Sequence, residues 1–401
     1  MINPNKIIII TTCPFPNGLA GTNRILSYCK GFLYHGYQPE VFCIRPTEPY
    51  YNSTNLFVKG TFNGIKYTYP GGTTKRVASF LGRRKNDFYA KWASLRLLYK
   101  TLKKGEIFFI IFYGNSVVVE LSSILISRRF NIKIYKEESE NPEIYFRGVN
   151  IFNSFKKWFV INKLYGYYTG ILVMTHPLKK LFLGKGIPNR NILIIPQTVD
   201  QERFEKDNYN TSVPRSYDYI AYVGSLNQLK DGVLTLVESF EELSAIYSEI
   251  HLVIAGDGTP KEKEELILLI KKLKLPERVH YIGCIQSSDI PAFLKGAKLL
   301  VSCRPKSLQS DFGFPTKITE YLATGRPIVT TLTGELDLYL KDRVNVFATT
   351  TDDRNSFASK IIEVLEDYDF AMKVARRGQM LISDNFNPII QTKRIIDFCT
   401  D

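Results

Sequence analysis

The chain has 401 residues, of which 44% are hydrophobic and 23% are charged, as in an ordinary globular protein. This length exceeds one ordinary core and predicts two domains of about 200 residues, and no apolar run approaches the roughly 20 residues of a membrane-spanning helix. The net charge of +14 is uneven, because residues 1–200 carry 28 Lys and Arg against 10 Asp and Glu, whereas residues 201–401 carry 25 against 29.

The cysteines and the N-terminus indicate the compartment. No CxxC spacing is present, and several cysteines lie in apolar runs, so we expect buried free thiols in a reducing cytoplasm. The apolar run KIIII near the N-terminus is too short for a secretory signal. The six cysteines are Cys13, Cys29, Cys43, Cys284, Cys303 and Cys399.

Short apolar strands alternate with amphipathic helical segments in the first half of the chain. Strands are predicted at 6–12, 40–44, 64–68, 107–113, 132–136, 171–175 and 192–195. Helices are predicted at 22–35, 88–103, 116–130, 154–166 and 177–184. This alternation is typical of βαβ units around a parallel sheet.

The second half repeats the alternation after a polar connection at 195–216 that contains proline. Strands are predicted at 218–224, 250–255, 278–283, 298–303, 327–331 and 344–348. Helices are predicted at 231–246, 260–273, 288–296, 315–324, 354–381 and 387–400.

The predicted fold class is therefore α/β, with two doubly wound Rossmann-like domains that face each other across a cleft. The predicted domains are 1–200 and 201–384, and a C-terminal helix within 385–401 is expected to pack back toward the first domain. Ligands of such folds bind beyond the carboxyl ends of the strands, so the residues just after each strand are the informative ones.

Glycines and cations follow several strands. Gly18 and Gly21 after the first strand would let an anion approach a helix N-terminus, although a turn without a ligand fits equally. Gly224 and Lys230 could hold an anionic group over the strand ends, or Lys230 could be a solvated partner of Asp231.

At two further strand ends, ordinary structural roles explain the sequence as well as ligand binding does. The turn at Gly258 lets the backbone pass close to a ligand, but helix capping by Asp257 or Thr259 explains it as well. Gly283, Cys284 and the neighbouring Ile285 suit a flat ring packed on the backbone, and an ordinary core also fits.

The stretch SDFGFPTKITEYLATGRPIV places polar groups at the start of one helix. Pro315 suits the first helical position, and Gly325 suits the stop. Thr316, Lys317 and Glu320 share one face, where a carboxylate could hold a ribose diol and the cation a pyrophosphate. The alternative is a Lys317–Glu320 surface pair, with a loop aspartate before it.

These motifs, taken in order, resemble a GT-B-fold glycosyltransferase of family 4 (glycosyl transferases group 1). The residues that carry the resemblance are GSLNQLKDG, AGDG, RVHYIG and DFGFPTKITEYLATGRPIV in the second half, and PFPNGLAGTNR and ILIIPQTVDQERF in the first. The resemblance extends over nearly the whole chain.

The resemblance implies a retaining transferase that uses a UDP- or GDP-sugar as donor and needs no bound metal or other cofactor. Lys230 would hold the donor pyrophosphate, Glu320 the ribose hydroxyls, and residues 283–285 the base. Gly21 would bring its loop to the phosphates. The remaining predicted donor-binding residues are Gly224, Ser225, Gly258, Gly283, Cys284, Ile285, Phe314, Thr316 and Lys317.

The chain departs from the family pattern at two places. Ser225 stands where many relatives have an arginine, and Lys317 is a hypothetical replacement for that cation. Phe312 stands eight residues before Glu320, where many relatives have a glutamate, so Asp311 is assigned to the donor sugar instead.

The N-terminal half is expected to bind the acceptor. Glu138 and Glu140 follow a central strand, and either could contact the acceptor or the reacting sugar, with Glu140 preferred as catalytic; both could equally be solvated loop charges. Thr175 and His176 end another strand, where a lone histidine is more often structural.

Cations interleave with aromatic residues at 73–104 and 150–168, a pattern that suits an anionic membrane surface, although a solvated helix face over a core stripe remains the alternative. We therefore expect a cytoplasmic enzyme, peripherally attached to the inner face of the membrane, that adds sugars to a glycan or lipid-linked acceptor in surface polysaccharide synthesis. A nucleotide-sugar epimerase of the same fold and a catalytically degenerate sugar-nucleotide-binding protein are the alternatives. No nucleic-acid-binding signature is present.

Overall fold

The computed structural model describes residues 4–51, 53–146, 151–205, 217–351 and 353–400. The chain divides into two compact units, which we call the N-terminal unit (Met1–Thr198 with Pro388–Asp401) and the C-terminal unit (Val199–Asn387). Part of the predicted connection, residues 206–216, and the start of the aromatic segment at 150 lie outside the described residues.

A sheet of eight described strands forms the centre of the N-terminal unit, in the order β3-β4-β2-β1-β5-β6-β7-β8. The strands are β1 (Lys6–Thr11), β2 (Gln38–Cys43), β3 (Lys59–Phe62), β4 (Ile65–Thr68), β5 (Ile107–Tyr113), β6 (Lys133–Glu138), β7 (Gly170–Val173) and β8 (Ile192–Ile194). All neighbouring strands are parallel except β3 and β4. Runs such as IFFIIFY in β5 are almost wholly apolar because both faces of a parallel sheet are covered.

Helices follow most of these strands and confirm the predicted βαβ alternation. They are α1 (Ala20–Tyr34), α2 (Phe80–Leu102), α3 (Val117–Arg129), α4 (Ile151–Asn162) and α5 (His176–Gly184). Helix α2 begins at Phe80, well before the predicted position 88, because the Ser79 hydroxyl accepts a hydrogen bond from the amide of Gly82 and caps it.

The sequence analysis missed strand β3. It pairs with β4 through a two-residue turn in which Asn63 has φ 49° and Gly64 has φ 81°. Two central residues with positive φ define the tight hairpin turn that Asn-Gly favours, so the dipeptide was the signal.

The C-terminal unit has six described strands, all parallel, in the order β11-β10-β9-β12-β13-β14. They are β9 (Tyr219–Ser225), β10 (His251–Asp257), β11 (Val279–Gly283), β12 (Leu299–Ser302), β13 (Ile328–Thr331) and β14 (Phe347–Thr349). This is the Rossmann strand order, and the order reverses between β9 and β12, where such sheets bind their ligands. The fold-class prediction is therefore confirmed for both sheets.

The described helices of the C-terminal unit include three of five residues or fewer and one unpredicted break. They are α6 (Glu202–Glu205), α7 (Gln228–Asp231), α8 (Val233–Ile246), α9 (Pro260–Lys272), α10 (Ile290–Gly296), α11 (Leu308–Phe312), α12 (Thr316–Thr324), α13 (Arg354–Glu366) and α14 (Tyr368–Asn385). The single helix predicted at 354–381 is wrong, because Asp367 leaves the helical conformation (φ −125°, ψ 71°) and its side chain caps the amide of Phe370.

The last helix, α15 (Pro388–Thr400), belongs to the N-terminal unit and packs against α1. The two helices are in such close contact that a Cβ added to Gly31 would lie 2.1 Å from Thr392 Oγ1. Ile395 and Cys399 are buried in the same apolar core as Phe32.

All six cysteines are free, but only four of them are buried. Cys13 is half-buried and Cys284 is exposed, so the expectation of buried thiols is wrong for Cys284.

Across the part of the chain that the structure describes, none of the helices is both long and apolar enough to cross a membrane.

Candidate active site

The carboxyl end of β9, beside the point where the strand order reverses, carries the predicted Gly224 and Ser225. The Ser225 hydroxyl accepts a hydrogen bond from the amide of Asn227 (3.2 Å). The Asn227 side chain in turn caps α7 by accepting from the amide of Lys230 (2.9 Å). Two short side chains therefore fold the turn that places the half-buried Lys230 at this strand end.

Lys317 lies at the same strand end and forms a buried ion pair. Its ammonium is 2.8 Å from Asp231 Oδ1 and 3.1 Å from the Tyr222 hydroxyl, above whose ring it lies at 4.3 Å. The Lys317 and Asp231 side chains are only 11% and 7% exposed. The interpretation of Lys317 as a surface partner of Glu320 is therefore wrong, and so is the pairing of Asp231 with Lys230.

Gly224 makes room for this ammonium. A Cβ at position 224 would lie 2.4 Å from Lys317 Nζ and 2.7 Å from the Tyr222 hydroxyl. Burial lowers the pKa of Lys317, whereas the carboxylate of Asp231 raises it.

A third cation, missed by the sequence analysis, lies at the end of the neighbouring strand. Arg304 follows β12, is 5% exposed, and donates to the carbonyl of Gln309 (3.2 Å). The charges of Arg304 and Lys230 both lower the pKa of Lys317, so each of the two lies close enough to interact with Lys317. An arginine directly after the buried strand LLVSC was the available signal. With Asp231 as their counter-charge, these groups form a region of positive potential suited to a diphosphate.

Glu320 lies one turn further along α12 and is held by another residue that the sequence analysis did not single out. Arg203 Nη1 is 3.3 Å from Glu320 Oε1, and Arg203 Nη2 donates to the carbonyl of Ser287 (3.1 Å). Burial raises the pKa of Glu320, and the guanidinium opposes that rise. Arg203 thus joins Glu320 to the segment after β11, which includes the predicted residues 283–285. It lies within ILIIPQTVDQERF, so the family resemblance was the signal.

The predicted residues near the ends of β10 and β11 lie in different local structures. Capping explains the turn at Gly258, because the Thr259 hydroxyl and the Glu262 carboxylate cap α9 reciprocally. Gly283 has φ 71° and ends β11, and Cys284 is exposed after it. Desolvation and the charge of Asp257 raise the pKa of the Cys284 thiol.

The residues before α12 are less exposed than a loop would be. Asp311 lies half-buried on α11, which Ser307 caps. Phe314 is 5% exposed and packs against the rings of Tyr339 and Phe386. Thr316, rather than Pro315, begins α12, and Gly325 ends it in the left-handed conformation (φ 67°), as predicted.

In the N-terminal unit, Gly21 lies in the first turn of α1, beside the point where the strand order reverses between β1 and β5. A Cβ at this position would lie 2.7 Å from Cys13 Sγ and 3.6 Å from the Tyr113 hydroxyl. The glycine therefore lets the helix start pack closely against the ends of both strands.

Strand β6 ends in a buried polar network. Glu138 is 3% exposed and accepts hydrogen bonds from the hydroxyls of Tyr165 (2.6 Å) and Tyr145 (3.2 Å). Desolvation raises its pKa to about 7, although Lys136 opposes the rise. Lys136 pairs with Glu120 at 3.3 Å. The alternative of a solvated loop charge is therefore wrong for Glu138.

The other predicted acceptor residues differ in their exposure. Glu140 is half-buried beyond the end of β6, and His176 is an exposed residue at the start of α5. Thr175 is buried and caps that helix by accepting from the amide of Leu178 (3.4 Å).

No cluster of three or more His, Cys, Asp or Glu suited to a metal ion occurs within the described ranges.

Comparison with known proteins finds glycosyltransferases that are similar to this chain. Residues 217–367 match the model of the family described as glycosyl transferases group 1. An uncharacterized glycosyltransferase of Methanocaldococcus jannaschii is 26% identical over 277 residues, which span 64% of each chain and so less than two thirds of that relative.

Solved structures extend the likeness to the whole chain. A glycosyltransferase from Rickettsia africae is 18% identical, with a TM-score of 0.70 over 99% of this chain and 98% of its own. Anabaena HepE in complex with UDP and glucose is 16% identical, with a TM-score of 0.67 over 98% of this chain and 99% of its own. The chain therefore has the GT-B fold of these glycosyltransferases, and most of its C-terminal unit matches the group 1 family.

Proposed function

We propose that this chain is a retaining glycosyltransferase that moves a hexose from a nucleotide-diphosphate donor to a glycan or lipid-linked acceptor in surface polysaccharide synthesis, such as that of capsule, exopolysaccharide or lipopolysaccharide. The single observation that carries the proposal is the position of the Lys317 ammonium over Gly224, one helical turn from Glu320. A pyrophosphate at the end of β9 would meet Lys317 and Lys230, and a ribose beside it would meet Glu320.

These residues supply what the departure of a nucleotide diphosphate requires. Negative charge develops on the leaving oxygen, and fixed cations in a partly desolvated site stabilise that charge strongly. Lys317 is held in place by Asp231 before any ligand arrives, so little reorganisation is needed. It is the proposed substitute for the arginine that Ser225 replaces, and Asp311 and Glu140 are the proposed contacts of the reacting sugars.

The choice of donors to assay follows from HepE, a similar protein whose bound ligands are named. Because HepE is described with UDP and glucose, UDP-glucose is the first donor to assay, followed by GDP-mannose. We expect the purified chain to release UDP or GDP only when a sugar acceptor, such as a polyprenyl-diphosphate-linked saccharide, is present, and the new linkage to keep the donor's anomeric configuration. A changed sugar without an acceptor would instead indicate an epimerase, and binding without turnover a degenerate protein.

We also propose that the chain attaches peripherally to the inner, cytoplasmic face of the membrane. Helix α2 exposes Phe88 (75%) and Trp92 (49%), and α4 exposes Phe155 (66%) and Trp158 (50%) among lysines and arginines. Aromatic rings at headgroup depth with cations beside them suit an anionic bilayer. Phosphatidylglycerol vesicles should co-sediment the chain at low salt and release it at high salt; no co-sedimentation at any salt concentration would overturn this proposal.

A further inference from the structure

A pocket of roughly 230 Å³ in the N-terminal unit is lined by three arginines. It lies just beyond the carboxyl end of β2, where Arg45 follows the strand, and it is bordered by α2 and by the segment that leads into α2. The lining residues are Arg45, Pro46, Arg76, Val77, Arg83, Asn86 and Asp87.

Backbone acceptors fix two of the three arginines. Arg45 Nε donates to the carbonyl of Thr12 (3.3 Å), and Arg76 Nε donates to the carbonyl of Pro46 (3.4 Å). Each of these contacts uses the Nε–H of its guanidinium, so the two Nη groups, with four N–H donors, are the part of each fork that could bind a ligand.

The charge in the pocket is unbalanced. Three guanidinium groups face one carboxylate, that of Asp87. Desolvation and the charge of Arg76 lower the pKa of Arg45, whereas Asp87 raises it. Arginine forks around an electropositive concavity match the oxygens of a phosphate, which they bind bidentately.

Helix α2 borders the pocket on one side and exposes apolar side chains on the other. Arg83 and Asp87 precede the buried Ala90 by seven and three residues and so lie on its face. Leu81 (79% exposed), Phe88 (75%) and Trp92 (49%) follow one another at intervals of seven and four and lie on the outward face. A helix with its side chains is about 10 Å across. If the outward side chains entered the boundary between headgroups and acyl chains, the pocket would lie about 10 Å further out, near the headgroup phosphates.

We propose that this three-arginine pocket binds the phosphate or diphosphate of a lipid-linked saccharide acceptor, while the outward face of α2 contacts the bilayer. The inference rests on the proposed function and narrows its acceptor to a phosphate-bearing lipid. Arg45, Arg76 and Arg83 are binding residues in this account, and the reacting sugar lies elsewhere.

The test uses the full chain and vesicles of two compositions, phosphatidylcholine alone and phosphatidylcholine doped with a polyprenyl diphosphate. We expect the wild type to prefer the doped vesicles, and the double variant Arg76→Gln/Arg83→Gln to lose that preference with a dissociation constant at least about tenfold higher. Arg190→Gln removes an exposed cation of the same unit that is outside the pocket, and it should bind both vesicles as the wild type does. Circular dichroism melts confirm that each variant is folded.

Two further arms identify the source of the phosphate. If the double variant instead weakens binding of UDP, the pocket belongs to the donor and the acceptor assignment is wrong. If it loses binding to plain phosphatidylglycerol vesicles by the same factor, the arginines serve general membrane attraction and the proposal is also wrong.

These experiments distinguish a failure of the pocket proposal from a failure of the proposed transferase activity. A wild type that prefers doped vesicles but binds no nucleotide sugar would retain the pocket and refute the transferase. One that turns over a nucleotide sugar but shows equal affinity for both vesicles would retain the transferase and refute the pocket.

Discussion

Replacing Lys317 by methionine tests whether the buried ammonium is both a structural partner and a donor-binding group. At the 2.8 Å separation from Asp231, the attraction is about 6 kcal/mol at an effective dielectric constant of about 20. Desolvation offsets much of this, and breaking a buried pair from one side typically costs about 3–5 kcal/mol. Because burial still lowers the pKa of Lys317 despite its partner, we expect the lower end, a fall of about 3 kcal/mol in the free energy of unfolding.

The double variant Lys317→Met/Asp231→Asn separates the two roles. With both charges of the pair removed, neither residue is left as an unpaired buried charge, and we expect a coupling energy of about 2 kcal/mol in the double-mutant cycle. Affinity for UDP should not recover with stability, because no ammonium then faces the phosphates. The dissociation constant should stay at least about tenfold above the wild type, as expected for a lost hydrogen bond to a charged group.

Urea unfolding followed by far-UV circular dichroism measures stability, and titration calorimetry with UDP measures affinity. Lys393→Met is the matched control, because it removes a lysine from an exposed pair with Asp397 (58% and 56% exposed) and should change neither quantity measurably. Recovery of UDP affinity in the double variant would show that Lys317 only neutralises Asp231. Unchanged stability in Lys317→Met would refute the argument from the buried pair.

Three further substitutions separate charge effects from turn geometry. Arg203→Gln leaves Glu320 without its cation, so the pKa of Glu320 should rise further and UDP affinity, measured by calorimetry, should fall more steeply on acidification than in the wild type; parallel pH profiles would contradict this. Burial gives Glu138 a folded pKa of about 7 against an ordinary value of 4.5, so its neutral form favours the fold below about pH 4.5, and up to about 3 kcal/mol of that stability is lost as the pH rises through 7. Urea unfolding of Glu138→Gln across this range should lack that loss, and an equal slope in both proteins would refute the burial argument. Gly64→Ala should cost about 1 kcal/mol in the same assay because φ is 81°, whereas Gly184→Ala, in a helix with nothing within 4 Å of the added Cβ, should not destabilise; equal effects would show that the turn tolerates a side chain.

The strands and helix ends were predictable where the signal is local. Continuous apolar runs located β1 and β5, Gly325 marked the end of α12, and Thr259 marked the start of α9. Each of these signals lies within a few residues of the feature it specifies, so one stretch of sequence contains the whole physical cause.

The site chemistry was predictable only in part, because its contacts join distant segments. Lys317 and Asp231 are 86 residues apart, and they meet only because the strand order reverses between β9 and β12. Arg203 reaches Glu320 over 117 residues, so the resemblance marks the segment that contains Arg203, but no local pattern indicates its pairing with Glu320. The roles of the predicted site residues toward donor and acceptor remain predictions.

The return of α15 to the N-terminal unit has a consequence for synthesis. The core that contains Phe32 and Phe109 also needs Ile395 and Cys399, so a nascent chain cannot complete it until the whole of Val199–Asn387 has left the ribosome. We expect the C-terminal unit, which is one uninterrupted segment, to fold first, while the apolar core of the earlier-made N-terminal unit stays incomplete until α15 packs against α1.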